Sequence, residues 1–423
     1  MRILIVSLYY APSRDANSPI VTALAEGLAA KGHDVRVLTA IPHYRQSEVE
    51  APYAGKLAQS RPEGGVLVTR TWVPAGKLPA WADRVGTYLA FHLASTAWGM
   101  AGAARDVILT LSPPVTNAAV CLALARVKGA PFVYVAQDFY PDIAAAVGAM
   151  RGEVVLRVAR AAARQIYRQA ARVVVVSPAM RERMAGIGVS PARIDLIENF
   201  VDTARLSPGP RHEELARAMG WRGRFVVLLA GNIGWSQPTE PILEAAAILG
   251  ADEDIHFAFV ASGAWARRAQ GVARERGLAN VSFHELLPGR QVPDLYRCAD
   301  VCLVTLRRGL DGLSFPSRIY SAMAVARPII ACVEQGSDVA GFVSRTGCGE
   351  VAPPDDPQDL ASAIRRLRDE PEVGRAMGRR GREYVCRHHS VDAAVEAYER
   401  CLGAAVAGHG AGNSPLASGG NLC

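Results

Sequence analysis

Arg318 stands where its charge could bind an anion. A polar loop broken by Gly and Pro ends just before it and a helix is predicted to begin, with Ser314 or Ser317 as the cap and Pro316 in its first turn. The free amides expected at Ser317, Arg318 and Ile319 would attract an anion, whereas a cation at a helix N-terminus costs roughly 0.3–1 kcal/mol. Arg318 is therefore either a ligand-binding residue or a solvated arginine on a core helix.

Two carboxylates lie close together in a second segment. The sequence QDFYPD (137–142) follows a predicted strand and contains Asp138, Tyr140 and Asp142. Carboxylates at the end of a strand could bind hydroxyl groups or act as a general base. Asp and Pro also favour turns, so turn formation alone would account for the motif equally well.

Neither acids nor cysteines are spaced as metal ligands. The only DxD-like motif, Asp-Glu-Asp at 252–254, lies between a predicted helix and a predicted strand, at the amino edge of the sheet. The eight cysteines are scattered, mostly in apolar segments, without a CxxC motif or a Cys/His cluster. The sequence therefore predicts no metal site, and its cysteines are typical of reduced thiols in a cytoplasmic protein.

The elements that position these residues are short apolar runs that alternate with helical segments. Such runs are typical of strands buried on both faces of a parallel sheet. In the first half we predict strands at Arg2–Leu8, Val35–Thr39, Gly65–Trp72, Asp106–Leu111, Phe132–Ala136, Arg172–Ser177 and Ile194–Ile197. In the second half we predict them at Phe225–Ala230, His256–Ala261, Val281–His284, Val301–Leu306 and Pro328–Val333. A polar linker at 206–214 separates the two series, so the sequence predicts an α/β protein with two doubly wound, Rossmann-like domains facing across a cleft.

Small residues follow several of these strands. The segment 231–234 (Gly-Asn-Ile-Gly) and the pair Ser262-Gly263 lie at carboxyl edges, where a missing side chain lets the backbone approach a phosphate or ribose. The loop after the first strand lacks GxGxxG, which argues against a dinucleotide cofactor. That loop nevertheless lies at an edge where ligands bind in such sheets.

Composition limits the partners. The chain has 423 residues, half of them apolar, which is enough for two domains. A net charge of +7 fits an anionic partner such as a nucleotide, a phospholipid surface or a nucleic acid. Nucleic acid is not expected, because no zinc-finger or aromatic-basic motif is present. No secretory signal is expected either, because the first apolar run is a short strand.

Two predicted helices have features that are typical of segments in contact with a membrane. Residues 85–104 carry no formal charge and have the length of a membrane span, but their composition favours a buried or membrane-dipping helix. The predicted helix 151–172 has four arginines on one face and an apolar face opposite, as on an anionic membrane or on an ordinary solvated surface. The arginines are Arg157, Arg160, Arg164 and Arg168, and the apolar residues are Val154, Val158, Ala161 and Ile166.

Six motifs, taken together and in order, resemble a known enzyme family. They are YYAP at 9–12, QDFYPD at 137–142, VVVVSPAMRERM at 173–184, IENFVD at 197–202, AGNIGWSQ at 230–237 and FPSRIYSAMAVARPIIA at 315–331. Over about residues 1–405 the chain resembles the retaining glycosyltransferases of family 4, which have the GT-B fold. Within that family it is most similar to the surface-polysaccharide subgroup, such as the fucosamine transferases of O-antigen and capsule synthesis.

The resemblance implies a division of the chain. It implies an acceptor-binding domain at 1–203, a nucleotide-sugar-binding domain at 204–385 and a C-terminal helix at 386–406 that could cross back to the first domain. A disordered tail is expected at 407–423, where the sequence is rich in Gly and other small residues. The protein would be cytoplasmic and peripheral at the inner face of the cell membrane.

Four positions depart from the wider family. An arginine and a lysine commonly contact the donor diphosphate, where this chain has Asn232 and Gln237. Two glutamates commonly bind the donor, where this chain has Leu313 and Ser321. The subgroup resembles this chain in both respects, so the resemblance implies a variant site in which Asp311 replaces the first acid and Arg318 the missing cation.

The resemblance then implies a set of site residues. The catalytic residues would be Asp138, Asp311 and Arg318. The donor would contact Gly231, Asn232, Gly234, Gln237, Ser262, Gly263, Ser314, Phe315, Pro316, Ser317, Arg318, Ile319 and Tyr320. The acceptor would contact Tyr10, Asp15, Asn17, Ser18, His43, Tyr140 and Asp142.

The predicted activity is metal-independent transfer of a hexose or N-acetylhexosamine from a nucleotide-diphosphate sugar, expected to be a UDP-sugar. The acceptor would be lipid-linked or a glycan, the anomeric configuration would be retained, and no cofactor is expected. Two alternatives have the same architecture. One is a UDP-sugar epimerase, which would need no lipid acceptor, and the other is a non-catalytic partner subunit.

Overall fold

The computed structural model describes residues 1–13, 15, 17–42, 53, 55–74 and 80–412. Among them the first eight strands form one sheet in the order β3-β4-β2-β1-β5-β6-β7-β8. Their bounds are β1 Arg2–Val6, β2 Asp34–Ala40, β3 Ala58–Glu63, β4 Val66–Thr71, β5 Val107–Leu111, β6 Phe132–Ala136, β7 Arg172–Val175 and β8 Ile194–Leu196. All neighbours are parallel except β3 and β4. The antiparallel edge strand β3 falls in a segment without a clear apolar pattern, and the sequence did not predict it.

Helices cover both faces of this sheet. They are α1 Ser18–Ala30, α2 Ala80–Ala101, α3 Asn117–Lys128, α4 Asp142–Ala146, α5 Glu153–Gln169 and α6 Pro178–Gly186. On one face α2, α3, α5 and α6 share a core with the second domain, and on the other face α1 packs in a separate core. Because every strand except β3 runs in the same direction, the carboxyl ends of these strands meet along one edge.

The remaining strands form a second sheet in the order β11-β10-β9-β12-β13-β14, in which every described pair is parallel. They are β9 Phe225–Asn232, β10 Ile255–Ser262, β11 Val281–His284, β12 Val301–Thr305, β13 Ile329–Cys332 and β14 Gly349–Ala352. The helices are α7 Glu213–Ala218, α8 Glu240–Ile248, α9 Ala264–Glu275, α10 Val292–Cys298, α11 Arg318–Ala324, α12 Asp338–Thr346, α13 Pro357–Asp369, α14 Pro371–His388 and α15 Val391–Gly412. The predicted two-domain α/β architecture is confirmed.

Two differences concern the domain borders. The predicted linker contains the start of α7, which packs on α10, and Arg211 in it forms an ion pair with Asp300. The linker therefore already belongs to the second domain. The last helix, α15, crosses back and packs on α1, where Val395 fills the space beside Gly27. It continues to Gly412, so residues 407–412 are helical where a disordered tail was predicted.

The sequence predicted that the apolar residues of α5 lie opposite its arginines, and this prediction is wrong. Val154 is 69% exposed and Val158 is 64% exposed, and both adjoin the arginine row. The helix packs instead through Ala163 and Tyr167. Helical periodicity identified two distinct faces, but burial of the apolar one depended on a neighbour that the fold does not supply.

The apolar helix α2 is buried on one side only. Phe91 and Ser95 face the core, while the opposite side exposes Val85, Leu89 and Leu93, which are four residues apart, and Met100. Leu93 is 74% exposed. In the described part of the chain no helix is both long enough and apolar enough to span a bilayer.

Candidate active site

Two glycine turns form the wall of the candidate donor site. Gly231 near the end of β9 has φ +114°, and Gly263 after β10 has φ +115°, conformations that side chains other than glycine rarely adopt. A Cβ on Gly263 would collide with the carbonyl oxygen of Ile233 and lie 3.0 Å from the amide oxygen of Asn232. The two loops therefore pack backbone against backbone at Gly263.

Arg318 reaches across to this wall. Its Nη2 donates a hydrogen bond to the carbonyl oxygen of Asn232 at 3.0 Å, and its guanidinium lies beside Gly231. Its Nη1 is buried and has no hydrogen-bond partner among the described residues. Burial lowers the pKa of Arg318, although a guanidinium remains charged at neutral pH. An unpartnered buried cation is costly in the free protein, so the arrangement favours an anion as its missing partner.

The start of α11 differs from the prediction in one respect. The amide of Ile319 donates to the carbonyl oxygen of Pro316 at 3.2 Å, so this amide is not free. Ser317 has helical φ and ψ angles and makes no side-chain cap. The amides of Ser317 and Arg318 have no backbone partner in the described ranges. The positive end of α11 is therefore smaller than predicted, and the charge of Arg318 dominates it.

Several predicted donor residues point their side chains into the core. Phe315, Pro316, Ile319 and Tyr320 are buried, and the Tyr320 ring packs against Phe315, Phe342 and His389. Burial raises the pKa of Tyr320 far above its usual value. The side chains of these four residues hold the loop in position.

The two donor-loop positions that depart from the family are structured differently from each other. Gln237 accepts a hydrogen bond from the amide of Gly234 through its Oε1 at 2.8 Å, which closes the loop 234–237. Asn232 is exposed at the end of β9 and receives Arg318 on its carbonyl oxygen. Ser262 carries a buried hydroxyl without a partner in the part of the chain that the structure describes.

Sequence reasoning missed Arg307, which follows β12. Its guanidinium lies 4.5 Å from the ring centre of Trp235 and 5.7 Å from that of Trp265, and its Nε donates to the carbonyl oxygen of Trp235 at 2.9 Å. Its amide donates to the carbonyl oxygen of Ser236 at 2.8 Å. Arg307 thus fixes the loop after β9 through cation–π and backbone contacts. The sequence signal was an arginine directly after a buried strand in one motif and a tryptophan in another.

Asp138 lies where the two domains touch. It forms an isolated antiparallel β-bridge with Ser314, and the neighbouring amide of Phe139 donates to the carbonyl oxygen of Leu313 at 2.8 Å. Burial raises the pKa of the Asp138 carboxyl, the charge of Asp15 adds to this, and the Ser314 hydroxyl opposes it. The structure therefore joins a predicted acceptor-side acid directly to the donor-side loop.

Asp311 is engaged elsewhere on the same loop. Its Oδ1 accepts a hydrogen bond from the amide of Asp338 at 2.9 Å, at the first turn of α12, and its carbonyl oxygen accepts one from Arg183 at 3.1 Å. Burial raises the pKa of this carboxyl also. These contacts fix the loop against both domains, and they occupy one oxygen of the acid that was predicted to replace a family glutamate.

The predicted acceptor residues after β1 are mainly structural in their contacts. Tyr10 and Ser18 are buried. Asn17 donates through Nδ2 to the carbonyl oxygen of Ser112 at 2.9 Å, and Asp15 accepts the amide of Asn17 at 2.9 Å. Asp15 alone of these is shown near the cleft, through its effect on Asp138. His43, another predicted acceptor residue, lies outside the described residues.

The remaining predicted acceptor residues, Tyr140 and Asp142, belong to the segment after β6 that also contains Asp138. Asp142 forms an ion pair with Arg160, whose Nε and Nη2 both approach one carboxylate oxygen at 2.9 and 2.6 Å. The carbonyl oxygen of Tyr140 accepts a hydrogen bond from the hydroxyl of Tyr167 at 2.8 Å. QDFYPD can therefore form a turn and also bind a ligand, because the turn places Asp138 at the contact between the two domains.

The acidic motif at 252–254 has a structural role. Asp252 pairs with Arg365 and Arg368 of α13 at 2.8 Å each, and Asp254 pairs with Arg368 at 3.1 Å. These arginines hold the pKa of Asp252 below its ordinary value. Across the described residues, His, Cys, Asp and Glu nowhere gather in a group that could hold a metal ion.

Comparison with known proteins places this geometry among sugar-transferring enzymes. Residues 18–199 match the family model of the glycosyl transferase 4-like domain, and residues 224–370 match that of the glycosyl transferases group 1. The chain is 28% identical to the putative colanic acid biosynthesis glycosyl transferase WcaI of Escherichia coli, over 86% of this chain and 92% of the relative. It is 30% identical to the probable glycosyltransferase WbjE of Pseudomonas aeruginosa, over 61% of this chain and 65% of the relative.

The fold agrees with solved structures. Anabaena HepE, solved in complex with UDP-glucose, superimposes with a TM-score of 0.71 at 15% identity and covers 95% of this chain and 99% of that one. A sucrose-phosphate synthase from Thermosynechococcus elongatus superimposes with a TM-score of 0.68 at 20% identity, over 96% of this chain and 100% of that one. These two likenesses concern the fold.

Proposed function

The chain is a two-domain glycosyltransferase of the GT-B fold, and we propose that it transfers a sugar from a UDP-sugar to a lipid-linked or glycan acceptor in surface polysaccharide synthesis. The polysaccharide role is supported by the relative named for colanic acid biosynthesis. The UDP donor is supported by the fold neighbour that was solved with UDP-glucose. Retention of the anomeric configuration is inferred from the similarity of the motifs to family 4.

The observation that carries this proposal is the unpartnered Nη1 of Arg318 beside two glycine turns. A departing nucleoside diphosphate gains negative charge as the sugar bond breaks, and a fixed guanidinium can stabilise that charge more in the transition state than in the ground state. The backbone at Gly231 can approach a diphosphate bound to Arg318, because only the Arg318 guanidinium lies within 4 Å of the position that a Cβ would occupy there. Arg318 would thereby supply the cation that the family has at the positions of Asn232 and Gln237, without a requirement for metal.

Asp138 is the proposed acceptor-side residue. It lies on the first domain but contacts Ser314 of the second, so a hydroxyl bound to it would lie near a donor held by the Arg318 loop. A carboxylate there can accept a hydrogen bond from the attacking hydroxyl. A raised pKa makes such a carboxylate a better proton acceptor than an exposed aspartate, provided that the pH keeps it ionised. Asp311, held by α12, is proposed to order the loop from the other side.

A peripheral membrane position would bring this site to a lipid-linked acceptor. Because α2 packs on α3 and α3 on α5, their exposed apolar residues form one surface of the first domain, which we call the apolar surface. It consists of Val85, Leu89, Leu93, Met100, Val127, Val154, Val155 and Val158. Exposed patches of this kind mark interaction sites, and the arginines of α5 beside it complement anionic lipid. These features support the proposal of a protein that lies on the membrane.

Calorimetry with UDP tests the donor site. Arg318→Gln should weaken UDP binding by about 10- to 100-fold, the range for loss of a hydrogen bond to a charged group. Arg274→Gln, which removes an exposed arginine from α9, is the matched control and should bind as wild type does. EDTA should have no effect. Loss of UDP binding in EDTA, or normal binding by Arg318→Gln, would contradict the proposed site.

Incubation with labelled UDP-sugars separates the three functions that the sequence left open. Transfer gives a labelled acceptor together with UDP, an epimerase gives a new UDP-sugar without acceptor, and a non-catalytic subunit gives neither. The anomeric configuration of the product, determined by NMR, tests retention. We expect transfer, because both of the relatives described above are named as glycosyltransferases.

A further inference from the structure

A cavity of about 360 Å³ opens on the first domain beside the interdomain seam. It lies between α5, α6 and the segment 139–142. The residues that matter for its chemistry are Tyr140, Asp142, Arg160, Arg164, Tyr167 and Arg183. Its volume falls within the range of about 300–1,000 Å³ that is usual for small-molecule sites. It is separate from the glycine turns, which belong to the second domain.

The cavity carries excess positive charge. Arg160 is paired with Asp142 at 2.6 Å. Arg164 and Arg183 have no carboxylate within ion-pair distance among the described residues. Three arginines face the Asp142 carboxylate and, through Arg183, that of Asp311, which leaves one positive charge in excess. Arginine forks match phosphate oxygens in geometry as well as in charge, so the composition selects a phosphate or diphosphate group over a neutral sugar.

Arg183 ties the cavity to the seam between the domains. Its Nη2 donates to the carbonyl oxygen of Asp311, and its Nε would lie 2.6 Å from a Cβ on Gly312, so its side chain packs against that glycine. Phe139 lines the cavity, and the preceding residue, Asp138, bridges to Ser314. A group bound among the arginines is therefore one residue of chain away from the proposed acceptor acid.

The apolar surface adjoins the cavity along α5. Val154 and Val158 lie within the two turns of α5 that precede Arg160 and Arg164, and each residue adds 1.5 Å along the helix axis. Along one helix the chain thus presents exposed apolar residues, then an arginine-lined cavity, and then the loop that carries Asp138. This order matches a molecule with an apolar tail, a phosphate linkage and a sugar head.

We propose that this cavity binds the phosphate or diphosphate linkage of a lipid-linked acceptor. The inference rests on the proposed transferase function and names the part of the acceptor that the enzyme recognises apart from the sugar. Arg164 and Arg183 bind the anion directly, and Arg160 is shared between the anion and Asp142. The arginines of α5 therefore serve a defined site as well as a general attraction to anionic lipid.

Calorimetry with inorganic pyrophosphate tests the cavity. The titration is made on the full chain saturated with UDP, which blocks the donor site. Arg164→Gln and Arg183→Gln should each weaken pyrophosphate binding by about tenfold or more. Asp142→Asn should strengthen it, because the substitution removes a competing carboxylate and frees Arg160. Arg181→Gln on α6 removes an exposed arginine outside the cavity and should leave the affinity within about twofold of wild type.

Two controls keep these outcomes separate. Each variant is checked for an unchanged melting temperature and unchanged UDP binding. Absence of UDP binding in the wild-type protein would contradict the proposed function. Normal UDP binding, with the same pyrophosphate affinity in wild type, Arg164→Gln and Arg183→Gln, would overturn the cavity proposal alone. A weakened affinity in Asp142→Asn would also overturn it, because the sign would be opposite to the electrostatic prediction.

A second titration distinguishes a lipid-linked anion from a free one. Farnesyl diphosphate in detergent should bind more tightly than pyrophosphate to the UDP-saturated protein and should lose affinity in Arg164→Gln. Farnesol, which has the chain without the charge, should not displace pyrophosphate. Equal or tighter binding of pyrophosphate would assign the cavity to a free phosphate and would refute the lipid linkage.

Discussion

Replacing Gly263 by alanine tests whether the two glycine turns form the wall of the donor site. Gly263 has φ +115°, so any L-residue there is strained by roughly 1–2 kcal/mol. The new Cβ would also collide with the carbonyl oxygen of Ile233, which is backbone and cannot rotate away. Relief requires the loop 231–234 to shift. We expect a total destabilisation of about 2–4 kcal/mol, within the range of severe single substitutions.

Gly231→Ala is the informative comparison. It has nearly the same φ, +114°, but its Cβ would meet only the end of the Arg318 side chain, at 3.8 Å. It should therefore incur the conformational strain without the collision, and lose only about 1–2 kcal/mol. Gly271→Ala in α9 is the control with open space around the Cβ, and it should be neutral or stabilising by up to about 1 kcal/mol.

Melting temperature and UDP affinity report the two parts of the effect. A loss of 1 kcal/mol lowers the melting temperature by about 2–4 °C in domains of this size. Gly263→Ala should melt lowest and should also lose UDP affinity, because the Asn232 carbonyl that receives Arg318 moves with the loop. Equal melting temperatures for Gly263→Ala and Gly231→Ala would refute the collision. Full UDP affinity in a clearly destabilised Gly263→Ala would refute the placement of the donor at this wall.

Other perturbations address the seam, the interior and the surface. Asp138→Asn should lower transfer by about 10²–10⁴-fold with UDP affinity retained. Because the folded state raises the pKa of this carboxyl, its ionised form destabilises the protein at neutral pH. The variant should therefore melt higher than wild type at pH 7, and this gain in melting temperature should vanish below about pH 4. Burial lowers the pKa of His389 to about 4, so the free energy of unfolding should decrease by about 3 kcal/mol at most as the pH falls from about 6.5 towards 4. His389→Gln should flatten this part of the curve of stability against pH. An unchanged slope would show that His389 is not the group responsible. Leu89→Ser with Leu93→Ser should reduce sedimentation with anionic vesicles without loss of UDP binding, and unchanged sedimentation would remove α2 from the membrane contact.

The alternation of apolar runs and helical segments was sufficient to predict the architecture. A strand buried on both faces needs a continuous apolar run, and a parallel neighbour needs a crossover, so the local pattern carries the information. For this reason the bounds of β6 and β11 agree with the prediction to the residue. The antiparallel strand β3 was missed because its sequence AQSRPE has no apolar pattern and its pairing partner lies across a turn.

The candidate site was predictable where backbone geometry determines it. Glycines at the ends of β9 and β10 indicate conformations that only glycine adopts easily, and Gly231 and Gly263 have them. A cation at the start of α11 predicts an anion there, and this stays a prediction. Their convergence was predictable in kind, because the carboxyl ends of parallel strands share an edge. The individual side-chain contacts were not, and Phe315, Ile319 and Tyr320 proved to support the loop from the core.

The sequence by itself determined the two domains, the motifs that place the chain among glycosyltransferases, and the glycine turns with Arg318 between them. Tertiary structure alone decided which side chains share a space across long separations. Arg183 meets the loop at Asp311 and Gly312, and Arg307 lies between Trp235 and Trp265. It also left Val154 and Val158 exposed beside the arginines of α5. The physical reason is that periodicity defines the faces of an element, whereas burial and pairing depend on which neighbour the fold brings to each face.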